Sequence, residues 1–136
     1  MAETVESPEG ELVLRTLALP KDTNPNGDIF GGWLLSQMDI AGGLAAKHQA
    51  NNRVATVAIE AMTFHKPVFV GDVVCCYAAQ RRVGTTSLTF GIQAWVVRGA
   101  RAGSRIKVTE GVFTFVSMGA DGRPQAVAVT RLEAED

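Results

Sequence analysis

The spacing of apolar and polar positions changes period twice along this chain. From Leu12 to Leu19 larger apolar residues alternate with smaller or polar ones, and Pro20 ends the run, which predicts a first strand. Lys21 to Gly31 is rich in Asp, Thr, Asn, Pro and Gly, residues that set turns, and predicts a loop of defined geometry. A helical pattern then begins between Gly31 and Trp33 and runs to Gln49, a length of about 25 Å at the helical rise. After Asn51, Asn52 and Arg53 the period returns to that of strands, over Val54 to Phe64, Asp72 to Val83, Ser87 to Arg98 and Arg105 to Met118. The links Gly84 to Thr86 and Gly99 to Gly103 suit hairpins and leave no room for crossover helices, so the class is α+β, one helix covered by an antiparallel sheet of five strands. Residues 1–10 and 129–136 read as polar tails around a domain spanning 11–128, with a turn at Asp121 and Gly122.

Within the helix, a heading taken from Asp39 at about 100° per residue brings Leu35, Gly42, Gly43 and Ala46 to its side and His48 to the opposite one. A carboxylate on a small, apolar face is costly unless it shifts its pKa or finds donors. Asp39 therefore invites either a catalytic role or a hydrogen-bonded place at a subunit seam. Gly42 and Gly43 cost the helix about 1 kcal/mol each relative to alanine, which predicts close approach by a ligand chain or a second backbone.

Composition narrows the classes. The 136 residues are 46% hydrophobic, enough for one core, and the formal net charge of −1 gives no broad basic field for nucleic acid. No apolar run has the length of a membrane span, and the first residues lack a charged and then apolar signal pattern, so the expected location is the cytoplasm. Cys75 and Cys76 are adjacent in a strand and should face opposite ways, which argues against a disulfide or a shared metal. No His, Cys and carboxylate group has metal-site spacing.

The run Asn24-Pro-Asn-Gly-Asp-Ile-Phe-Gly-Gly-Trp33, with Ser36-Gln-Met-Asp39, Phe64-His-Lys-Pro67, Val70-Gly-Asp-Val-Val74 and Val112-Phe-Thr-Phe115, resembles the YciA-type acyl-CoA thioesterases of the hotdog-fold superfamily. The resemblance spans about residues 11–128 and extends to the cytosolic acyl-CoA hydrolases. It implies hydrolysis of acyl-CoA to a free acid and CoA, with CoA as part of the substrate and no further cofactor. It also implies a site shared by two subunits in a homodimer that assembles to a hexamer as a trimer of dimers. The family's helix aspartate falls on Asp39 and its loop asparagine on Asn24.

Elementary geometry leads to the same shared site. The unpaired amides at Gly31, Gly32 and Trp33 would polarise a thioester carbonyl as an oxyanion hole, but Asp39 lies two turns farther on, on the order of 10 Å away. The two features must come from different subunits. Asp39 serves as general base on water or as a nucleophile forming a mixed anhydride, which the sequence does not separate. Asn24 either orients water or carbonyl or makes an Asx-turn before Pro25. Asp28 is expected to cap the helix.

Further candidates are for binding. His65 is read as packing or as a contact to CoA rather than as a catalytic group, and His48 as structural. Lys66, Arg81, Arg82, Arg98, Arg101 and Arg105 are available to CoA phosphates or form a solvated rim, and the Gly84, Thr85, Thr86 and Ser87 turn is a candidate for pantetheine or phosphate. Phe30, Trp33 and Met38 either line an acyl pocket or pack in the core. Two alternatives are a non-catalytic acyl-CoA sensor, disfavoured by the intact Asn24 and Asp39, and a hydratase.

Overall fold

The computed structural model describes residues 6–99 and 105–127. Arg101, residues 1–5 of the first expected tail and the whole of the second lie outside them. The elements follow the expected order: β1 (Glu11–Leu17), a short 3-10 turn (Pro20–Asp22), α1 (Gly31–Ala50), β2 (Val54–Phe64), β3 (Val73–Val83), β4 (Ser87–Val97) and β5 (Arg105–Ser117). β1 stops before Leu19 because the backbone there turns into the 3-10 segment. The Leu19 carbonyl accepts the Asp22 amide at 2.9 Å, and the Asp22 carboxylate accepts the Leu19 amide at 3.1 Å.

The five strands form one antiparallel sheet in the order β1-β3-β4-β5-β2, so β1 and β2 are its edges. α1 packs against all five strands. Its inward face is Leu34, Met38, Ala41, Gly42, Ala46 and Ala50, and it meets Ile92, Phe113 and Phe115 from the sheet. Small residues bring the helix down onto the sheet. A Cβ on Gly42 would lie 2.7 Å from Cζ of Phe115, closer than carbon atoms approach, whereas one on Gly43 would meet the same ring at an ordinary 3.9 Å. Gly42 thus accommodates this chain's own phenylalanine, a correction to the expected approach of a ligand or a second backbone at that position.

The neighbouring cysteines face opposite ways, as strand geometry requires. Cys76 joins the core beneath the helix, and Cys75 packs with Tyr77 and Trp95 on the other face of the sheet. Both are free thiols. Burial, reinforced by Cys75, pushes the Cys76 thiol up to about 12.

Candidate active site

The start of α1 is open. Phe30 is the N-cap and supplies no side-chain cap; the first intrahelical bond runs from Leu34 N to the Phe30 carbonyl at 3.2 Å. Among the described residues the amides of Gly31, Gly32 and Trp33 have no partner. The Asp28 carboxylate does not cap them, contrary to expectation: the helix turns in from an extended Phe30, and Asp28 meets Asn24 through its own backbone instead. The first N–H groups of a helix have no intrahelical acceptor; the Phe30 amide finds the Asp22 carbonyl at 2.9 Å, and the three that follow it are left for water or ligand.

Asn24 organises the preceding loop. Its Oδ1 accepts the amides of Asn26 at 2.9 Å and Asp28 at 3.2 Å, and its own amide donates to the Asp28 carbonyl at 2.7 Å. This is the Asx-turn. It engages only the side-chain oxygen, so Nδ2 retains its donors. A cleft of about 280 Å³ brings Asn24 together with Asp28, Gly31, Phe64, His65 and Lys66.

Asp39 is elsewhere. It is half-buried on the flank of α1 that faces edge strand β2, and Thr56 Oγ1 donates to its Oδ1 at 2.7 Å. The expected apolar burial is corrected here: the inward face is centred on Met38 and Gly42, and Asp39 falls beside it, where the sheet ends and water and a hydroxyl reach it. Eight residues of helix separate it from Gly31, about 12 Å along the axis.

A family model for the thioesterase superfamily matches residues 26–102. The chain belongs to that superfamily. The acyl-CoA thioester hydrolase YciA of Escherichia coli K12 is 54% identical over 131 residues, covering 95% of this chain and 99% of that one. Among solved structures, the hexameric thioesterase y2039 of Yersinia pestis is 54% identical with a TM-score of 0.86, covering 91% of this chain and 100% of that one. An aspartate-to-alanine variant of HI0827, a hexameric broad-specificity acyl-coenzyme A thioesterase, is 49% identical with a TM-score of 0.85 and covers 88% of each chain. The YciA-type branch and the hotdog fold inferred from the motifs are those the relatives share.

Other expected site residues of this superfamily member separate into groups. Phe30 is exposed beside the open helix start, Trp33 is half-buried against the core, and Met38 is fully buried within the core. The Gly84 to Ser87 turn lies at the other end of the sheet, because Ser87 pairs with Val116 and Val54 with Ser117, so it is not brought to Asn24. Its groups are largely committed: Gly84 N donates to the Ser87 carbonyl, and the Thr85 and Thr86 carbonyls accept from Val127 and Ser117. His65 Nε2 is 2.7 Å from Oε2 of Glu110, away from Asp39.

Two of the expected phosphate anchors have structural duties. Arg98 grips the buried Asp72 with Nε and Nη2, both at 2.9 Å, and lies 4.9 Å over the Phe69 ring. Arg81 bonds Glu9 and lies across Gly91. The sequence reading missed Thr56 altogether. No local motif marks it, because only the packing of helix flank against edge strand brings it to Asp39.

Proposed function

We propose that this chain is an acyl-CoA thioester hydrolase whose active site is completed by a second copy. In each site the helix start and Asn24 of one protomer meet Asp39 of the other. One observation carries the reading: the oxyanion-type amides and the half-buried carboxylate occupy different places on the same helix, about 12 Å apart, and each lacks the other. The hexameric relatives and the exposed apolar residues Val57, Ile59 and Phe64 on edge strand β2 support the pairing.

In this mechanism the thioester carbonyl accepts hydrogen bonds from the free amides at Gly31, Gly32 and Trp33, which match the charge developing on oxygen. Asn24 Nδ2 orients the carbonyl or the attacking water. Asp39 removes a proton from that water, and the Thr56 hydroxyl fixes the carboxylate rotamer. The tetrahedral intermediate then collapses with cleavage of the C–S bond, and the CoA sulfur takes the proton held by Asp39, giving free acid and CoA and restoring the carboxylate. CoA is substrate and product, and the residues need no further cofactor for these steps.

CoA release from acetyl- to palmitoyl-CoA tests the reading. Asp39→Ala is expected to lower kcat by about 10²- to 10⁴-fold. Mixing Asn24→Ala with Asp39→Ala protomers should restore about a quarter of wild-type activity, because random exchange makes half the dimers mixed, each with one intact site. No recovery after demonstrated subunit exchange would refute a site built from two protomers.

A further inference from the structure

A second concentration of charge lies on the outer side of the sheet. A cavity of about 540 Å³ is lined by His65, Lys66, Trp95, Arg105, Lys107 and one carboxylate, Glu6. His65 and Lys66 also line the cleft that holds Asn24 and Gly31, so the two spaces share a wall.

Glu6 reaches this cavity because residues 6–10 cross the outer face of the sheet. Gly10, at φ +95°, turns the chain where any Cβ would collide with the Ala78 carbonyl. Glu9 N then donates at 3.0 Å to Oε1 of Gln93, which also accepts Trp95 Nε1 at 2.9 Å. The segment ends with Glu6 Oε2 at 2.6 Å from Lys107 Nζ. Lys107 is anchored from behind by Glu110 at 3.4 Å, and Glu110 in turn holds His65. The two partners differ in exposure: the Lys107 side chain is 16% exposed and that of Glu6 is 63% exposed. The cation is fixed in the wall, and the carboxylate covers it from the solvent side.

We propose that this cavity seats the phosphate groups of the CoA nucleotide and that Glu6 is a built-in carboxylate which the substrate displaces. The assignment rests on the thioesterase reading above and names its phosphate-recognition surface. A phosphate carries more charge than one carboxylate and accepts charge-assisted bonds from several donors at once. With the Glu6 side of the pair open to solvent, its hold on Lys107 is screened and yields to such a competitor. Lys107 and Arg105, with Lys66 at the shared wall, remain to hold the phosphates once Glu6 swings out.

The test compares butyryl-CoA with S-butyryl-pantetheine, which has the same thioester and no phosphate, and measures CoA binding by calorimetry. Lys107→Ala should raise KM for butyryl-CoA about tenfold and narrow the discrimination between the two thioesters by the same factor; Lys107→Arg should restore most of it. Glu6→Gln should lower KM for butyryl-CoA about two- to threefold, and being on the exposed partner it keeps the test decisive if Lys107→Ala fails to fold. Equal effects of Lys107→Ala on both thioesters, or unchanged KM for butyryl-CoA in both the Lys107→Ala and Glu6→Gln variants, would overturn the assignment alone. A wild type that cleaves neither thioester, yet binds CoA in a Lys107-dependent way, would overturn the thioesterase reading and leave the phosphate site standing.

Discussion

Among the described residues Asp39 receives one side-chain hydrogen bond, and its donor, Thr56, is 17 residues away in the sequence. Thr56→Val keeps the shape and removes the donor, so kcat for butyryl-CoA should fall about tenfold, while Thr56→Ser retains most activity. A fall in thermal stability without a change in kcat would show the hydroxyl to be merely structural. Glu110 makes a different prediction. Its carboxyl is held below the ordinary value, chiefly by the bond from His65 and further by Lys107. A depressed pKa means that its contribution is present above the ordinary carboxylate range and is lost as pH falls through the lowered value. Wild type should therefore melt above Glu110→Gln at about pH 7, and the gap should close as pH falls through the lowered value of Glu110. Cys76, with its thiol pushed up to about 12, should stay unreactive towards a disulfide reagent in the native protein and react on unfolding.

Among the elements, α1 shows how a residue unfavourable for local structure is retained. Gly42 weakens the helix by about 1 kcal/mol relative to alanine, but the Phe115 ring occupies the space a Cβ would take. Gly42→Ala should lower stability by about 1–2 kcal/mol in urea titration, since overpacking outweighs the propensity gain; Phe115→Leu in the same chain should recover part of it. A stabilised Gly42→Ala protein would show that the ring moves aside freely. The helix start is the second lesson. Two glycines, an extended Phe30 and no side-chain cap leave three amides unpartnered among the described residues, and such an arrangement costs stability unless something else accepts those bonds.

At the scale of the molecule, the sheet ends in an exposed, apolar edge. β2 is 11 residues long, and Val57 and Ile59 are exposed on it. An apolar edge of this length is a template for pairing with another chain. With the proposed site built from two copies, Val57→Lys and Ile59→Lys should shift the protein to smaller species in sedimentation and lose hydrolysis in step with dissociation. Full activity in a dissociated protomer would place the whole site in one chain.

How far could the chain be read without coordinates? The order and approximate bounds of the helix and all five strands followed from periodicity and turn residues, which are local properties of the backbone. The Asn24 loop and the helix glycines were legible for the same reason, and so was the distance that keeps Asp39 from the helix start. The partners of each group were not. That Asp39 meets Thr56 at the flank, that Gly42 makes room for Phe115, that Arg98 is committed to Asp72, and that Glu6 lies over Lys107 are contacts between residues far apart in sequence. Spacing fixes which way a side chain points along its own element, but only the packing of elements against one another decides what it touches.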